Sequence, residues 1–192
     1  LFAWKEGQPT QPSALKEYPK MAIAQDHAQK YFVLGLKNAH ATAEEARQMI
    51  QSQIERLENY PTLKDRLSAQ LAEKAAQLER IEQVLGRYGE SSSAIKDRAM
   101  TAMAGLTSML SKLTQDEVVK NSMGLLALAQ FEAAAYETLL LFGEAAGDVE
   151  SLRLLQKSLS EERSITAFIQ ENLRPTGMRF LQLESQGAQA SH

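Results

Sequence analysis

The sequence predicts an all-α fold, an antiparallel bundle of long helices, on three observations. Ala, Leu, Gln, Glu and Lys recur throughout the 192 residues while aromatic residues make up only 6%, a mixture that favours helix over sheet. Apolar residues repeat at helical spacing over long stretches that Pro or Gly separates. One stretch, residues 123–142, is apolar around nearly its whole circumference and therefore fits the buried centre of a bundle.

Composition limits the classes of function. The net charge of -3 gives no footprint for nucleic acid and no polybasic segment for a membrane surface. The absence of cysteine excludes disulfides, thiolate nucleophiles and iron–sulfur clusters, and it is compatible with the cytoplasmic location that we expect. The central stretch is long enough to span a membrane, but Glu132 and Glu137 weaken that interpretation, so we expect a buried helix of a soluble protein.

The chain divides into three predicted parts. Residues 1–24 contain three prolines and no sustained period, which is typical of an extended arm. Residues 25–174 form the bundle, and residues 175–192 are expected to be a flexible tail. The bundle has four core helices and an additional helix between the second and third of them. The core helices are predicted at 25–59, at 61–88, from the Thr114–Glu117 capping box to 142, and at 149–173. The additional helix is predicted at 94–113.

Two glutamates fall on apolar helix faces. Glu132 is surrounded at helical spacing by residues such as Leu128 and Leu139, and Glu162 lies on the inward line between Leu159 and Thr166. Because a buried ionised group needs compensation, each must meet a cation, a metal, a donor network or keep its proton. A small rotation of the last helix would exchange Glu162 for Glu161.

Further polar residues accompany these glutamates. Glu73 falls beside the apolar face of the second helix, where a carboxylate that reaches solvent is an equally good interpretation. The remaining candidates are His40, Gln70, Gln77 and Tyr136. Carboxylates that project inward from several helices are the arrangement of ferritin-like di-iron and di-manganese bundles. Those sites also use Glu-x-x-His pairs, and none occurs in this chain, so the predicted metal site is at most partial.

Three segments resemble the YciE/YciF-type ferritin-like stress proteins of bacteria: LERIEQVLGRYG at 78–89, FEAAAYETL at 131–139 and LLQKSLSEER at 154–163. The resemblance implies a ferritin-like bundle, often dimeric, with a candidate di-metal centre and a link to stress. The chain departs from that pattern at four ligand positions, where it has Ala43, Gln70, Ala129 and Thr166. What is left is a set of three carboxylates, Glu73, Glu132 and Glu162.

Two hypotheses of function follow. In the first, the protein is a non-catalytic bundle without cofactor that acts as a homodimer or with a partner protein, and Glu132 and Glu162 share a proton within a polar network of Gln70, Gln77 and Tyr136. In the second, it is an iron- or manganese-dependent oxidase, peroxide scavenger or iron-handling protein. Its metal ligands would be Glu73, Glu132 and Glu162, with Glu161 or His40 completing the coordination.

Overall fold

The computed structural model of the chain describes residues 25–90, 118–188 and 190. These residues contain four helices: α1 (Gln25–Ile54), α2 (Pro61–Arg87), α3 (Val118–Ala146) and α4 (Val149–Ser185). The predicted all-α class is confirmed. The predicted arm and the predicted additional helix at 94–113 lie outside the described residues.

The four helices form an antiparallel bundle with the ferritin-like order. Contacts run in opposite directions along each neighbouring pair: His40 contacts Glu82 between α1 and α2, and Arg87 contacts Ser151 between α2 and α4. Between α1 and α3, Gln25 donates to the carbonyl of Ala146. Both α2 and α3 are therefore antiparallel to α1 and parallel to each other. Helix α2 ends at one end of the bundle and α3 begins at the opposite end, so the connection between them must cross the length of the bundle. A bundle with one long crossover of this kind is the ferritin-like arrangement.

Two apolar clusters fill the described interior, one toward each end of the bundle. The cluster at the end where α3 begins includes Leu67, Ala129 and Ile165. The cluster at the opposite end includes Ile81, Tyr136 and Leu159. On each of α2, α3 and α4 the buried residues between these two sets are polar, so a polar layer separates the clusters halfway along the bundle.

The turn between α3 and α4 follows from local sequence. Gly147 adopts a positive φ of 77°, a conformation that costs glycine little. Asp148 then caps α4, whose predicted start at residue 149 is correct, because its carboxylate accepts a hydrogen bond from the backbone N–H of Ser151. Close approach of α1 to this region needs another glycine: a Cβ on Gly143 would lie 3.0 Å from Leu152 and 3.2 Å from Phe32.

The predicted end of the last helix at Leu173 is wrong. Helix α4 continues through Pro175 to Ser185, so the first part of the expected flexible tail is helical. Proline within a helix removes one backbone hydrogen bond and normally stops it. Here burial of apolar residues beyond the proline offsets that cost, since Leu183 is 4% exposed and packs in the cluster that contains Leu57 and Tyr60.

Helix α3 is not buried around its whole circumference, contrary to expectation. Its length and composition would allow it to cross a membrane, a test that the core helix of a soluble bundle also passes, and 33% of its most apolar window is buried. An outward stripe is exposed to solvent; it consists of Met123, Ala127, Phe131, Ala134, Thr138 and Leu141. At 100° per residue these six side chains lie within an arc of about 80° and span about 27 Å. We call this surface the α3 stripe.

Candidate functional site

The polar layer is built around Lys74, which is completely buried. On α2, Leu67, Lys74 and Ile81 follow one another at intervals of seven residues, and all three point into the bundle with no exposed surface. A lysine at this position would be strongly unfavourable without anionic partners, because burial removes the ammonium from water.

Two carboxylates from two other helices supply those partners. The ammonium nitrogen, Nζ, lies 2.7 Å from Oε2 of Glu132 on α3 and 2.6 Å from Oε1 of Glu162 on α4. Its third contact is with Gln77, whose Oε1 accepts a hydrogen bond at 3.2 Å. These distances are those of charge-assisted hydrogen bonds, so the three donors of the ammonium bind α2, α3 and α4 together.

A second cation completes the layer between α2 and α4. The two terminal nitrogens of the Arg80 guanidinium, Nη1 and Nη2, donate to the two oxygens of Glu161 at 2.7 Å, and Nη1 also donates to Ser158 at 2.9 Å. The amide nitrogen of Gln77 donates to Glu162 at 2.7 Å and to Glu161 at 3.1 Å. Adjacent glutamates on α4 thus have different cations, Arg80 for Glu161 and Lys74 for Glu162.

Burial and neighbouring charges shift the pKa values of three side chains in and beside the polar layer. Burial raises the pKa of Glu132 to about 7, with the Lys74 ammonium opposing the increase and the charge of Glu162 adding to it. Burial lowers the pKa of Lys74, but Glu132 and Glu162 more than offset this, so the pKa is raised and the ammonium stays charged. Burial, together with the same two carboxylates, also raises the pKa of the Tyr136 hydroxyl. The charges of Lys74 and Glu162 thus act on the pKa of Glu132 in opposite directions, and burial decides that it is raised.

The structure brings together only part of the predicted set. Glu132, Glu162 and Gln77 meet at Lys74. The two glutamates lie close together, as expected, but the group between them is the ammonium of Lys74 and not the expected shared proton. Glu161 joins through Gln77, and Tyr136 is 2% exposed in the apolar cluster adjoining the layer.

Three other buried oxygens belong to residues of α2 and α4 at or within about one helical turn of the Lys74–Glu162 contact. Oε1 of Gln70 and Oε2 of Glu162 have no hydrogen-bond partner among the described residues, and neither does the hydroxyl of Thr166. Gln70 is one helical turn from Lys74, and the register set by the Lys74–Glu162 contact places it opposite Thr166. Unpaired acceptors of this kind call for an ordered water or a cation.

Two predicted candidates lie elsewhere. Glu73 is an edge residue, with 31% of its side chain exposed, and pairs with Arg66 at 3.2 Å. His40 is buried but its Nε2 lies 2.9 Å from Glu82, two helical turns beyond Lys74 on α2. Both therefore have structural roles: Glu73 is in a partly exposed ion pair, and His40 is a buried, hydrogen-bonded histidine.

The residues that sequence reasoning missed are the two cations, Lys74 and Arg80. The leucines of α2 suggest a different inward face, but Leu71 and Leu78 are only partly buried. The available signal was the line Leu67, Gln70, Lys74, Gln77, Ile81, whose steps of three and four residues place a lysine among inward-facing amides. Two buried glutamates without a metal-ligand motif indicate a buried cation, and Lys74 is the cation on that line.

These residues do not fit a di-metal centre. A carboxylate-bridged pair of ions needs ligands from all four helices. Here α1 presents the buried Ala43, α2 presents an ammonium, and Arg80 holds Glu161 through both of its oxygens. No group of three His, Asp or Glu side chains suited to a metal ion occurs in the part of the chain that the structure describes. The oxygens that would bind an ion bind Lys74 instead.

Comparisons with known proteins agree with this fold. The crystal structure of a protein from Xanthomonas campestris pv. campestris matches with a TM-score of 0.70 and 26% sequence identity, over 82% of this chain and 99% of that chain. A family model described as "Domain of unknown function (DUF892)" matches residues 27–182. The chain therefore belongs to the DUF892 family.

Proposed function

We propose that this protein is a non-catalytic ferritin-like bundle that acts by association, first of all as a homodimer formed through the α3 stripe. The observation that carries the proposal is the exposure of large apolar side chains along that stripe: Met123 is 53% exposed, Phe131 49% and Leu141 60%. Contiguous exposed apolar surface with a polar rim is typical of interaction sites.

The neighbouring surface extends the patch. Tyr31 and Leu34 on α1 are 52% and 49% exposed, and the ring of Tyr31 lies 6.3 Å from that of Phe142 on α3. On the opposite side the patch is bordered by an exposed ion pair between Glu137 and Arg163. Large aromatic and aliphatic side chains inside a charged rim are the composition of an interface core.

The pattern of the α3 stripe favours a second copy as the partner. An antiparallel pair of α3 helices related by a two-fold axis near residue 132 would place Met123 opposite Leu141 of the other copy. The same axis would place Phe131 opposite Ala134, so a large side chain meets a small one on each side. A two-fold interface requires such self-complementarity.

The burial of the polar layer supports a non-catalytic role. Lys74 is fully buried and both of its carboxylate partners are at most 4% exposed. A reacting group must be accessible to a substrate, and these three side chains are buried in this conformation. The proposal includes a role in stress, which the resemblance to the YciE/YciF-type stress proteins implies, and a cytoplasmic location.

The test is the mass of the protein in solution, measured by analytical ultracentrifugation at micromolar concentration, for the wild type and two lysine variants. We expect a wild-type dimer and a monomeric Leu141→Lys variant. Leu181→Lys is the matched control, since Leu181 on α4 is equally exposed, at 61%, but lies off the stripe; it should remain a dimer. A wild-type monomer at tens of micromolar, or a dimer that Leu141→Lys leaves intact, would refute this interface.

A further inference from the structure

Lys74 occupies the position between two carboxylates that a divalent ion takes in other carboxylate sites. Its nitrogen is 2.6–2.7 Å from one oxygen of Glu162 and one of Glu132. Hard divalent cations bind such oxygens at about 2.0–2.6 Å, so an ion and this ammonium cannot occupy the position together.

The groups around Lys74 form an incomplete oxygen shell for a cation. Besides the two bonded carboxylate oxygens, Oε1 of Gln77 faces the ammonium at 3.2 Å. Oε2 of Glu162 and Oε1 of Gln70 are buried and have no partner among the described residues. Four oxygens from three side chains on three helices therefore lie at the ammonium, whose three donors bind only three of them, and Gln70 is one helical turn away on α2.

We propose that Lys74 is a built-in substitute for a metal ion, which keeps divalent cations out of this layer, and that removal of its side chain converts the layer into a site for one hard divalent ion such as Mn²⁺. Glu132 and Glu162 would supply the charge, and Gln70 and Gln77 would supply neutral amide oxygens. Carboxylate and amide oxygens, with no thiolate or imidazole, are ligands that suit hard cations such as Mn²⁺ and Mg²⁺. The inference does not depend on the proposed dimer.

The experiment measures Mn²⁺ binding by isothermal titration calorimetry and by loss of the free-ion signal in electron paramagnetic resonance. The proteins are the wild type, Lys74→Ala, and Lys74→Ala combined with Glu132→Gln and Glu162→Gln. We expect no binding at the layer of the wild type. Lys74→Ala should bind one equivalent, with a dissociation constant of roughly 10⁻⁵ to 10⁻⁴ M, within the range of hard-cation sites that have few carboxylates. The triple variant should lose that binding at least tenfold.

Lys74→Gln is the second variant, because its side chain leaves a smaller space than alanine does and keeps the helix folded if Lys74→Ala does not fold. A folded Lys74→Ala or Lys74→Gln protein, checked by circular dichroism, that binds no Mn²⁺ would overturn the proposal. So would stoichiometric Mn²⁺ or Fe²⁺ binding by the wild type that Glu132→Gln abolishes, and this second measurement needs no Lys74 variant.

Discussion

Replacing Glu132 by glutamine should change how the stability of this protein depends on pH. The folded pKa of Glu132 is about 7, whereas its ordinary value is 4.5, because burial favours the protonated form. The folded state therefore binds this proton more tightly than the unfolded state does. Its contribution to stability is complete below pH 4.5 and is lost as the pH rises through about 7.

The size of the effect follows from these two values. Between them, the free energy of unfolding falls by about 1.4 kcal/mol for each pH unit, or about 3 kcal/mol in all. Glutamine has nearly the same size and does not titrate. We therefore expect the stability of Glu132→Gln, relative to the wild type, to increase by about 3 kcal/mol between pH 4.5 and pH 8.

The assay is urea unfolding followed by circular dichroism at a series of pH values for both proteins. Taking the difference between the two proteins removes the contribution of groups that they share. Glu137→Gln is the control, since Glu137 is on the same helix but 56% exposed in a surface ion pair with Arg163, and its curve should run parallel to the wild type. If the difference between Glu132→Gln and the wild type changes by less than about 1 kcal/mol over this range, the account of the polar layer is wrong.

Two further variants test the end of the bundle and the long helix. Burial raises the pKa of Asp148, but hydrogen bonds from Ser151 and Tyr88 outweigh this effect, so the pKa is lowered. Asp148→Ala should therefore lower the free energy of unfolding by about 1–2 kcal/mol, measured by urea unfolding at pH 7. This loss should disappear as the pH falls below 3.8. Pro175→Ala restores a backbone N–H within α4 and should raise the free energy of unfolding by about 1–3 kcal/mol, and a destabilised variant would show that α4 needs the proline.

The sequence was sufficient to predict the class of fold and part of the polar layer, namely its glutamates and Gln77. Glu132 and Glu162 could be placed in the core because each interrupts an apolar face at helical spacing, and a helical period is the most readable signal in a sequence. Pro61 and Asp148 marked helix starts correctly, since their effects on the backbone are local. Such features need no knowledge of the neighbouring helices.

Features that depend on neighbouring helices could not be predicted in the same way. Whether Lys74 lies inside the bundle depends on the rotation of α2 by a fraction of a turn, and a leucine-rich face gave a competing rotation. Whether Pro175 ends a helix depends on the apolar partners that Leu183 finds beyond it. The exposed side of α3 is a property of the bundle as well, because the helix has apolar residues in every direction.

The polar layer lies where apolar packing is weakest. Helices α2 and α4 contact each other less than any other neighbouring pair, and the bonds of Lys74, Gln77 and Arg80 to Glu161 and Glu162 all connect these two helices. A buried ionic network adds little net stability over an apolar core. It does favour a single register of α2 against α4, because a shift of α2 along α4 would leave buried charges without partners. We infer that the layer fixes α2 against α4, while the apolar clusters on either side supply most of the stability.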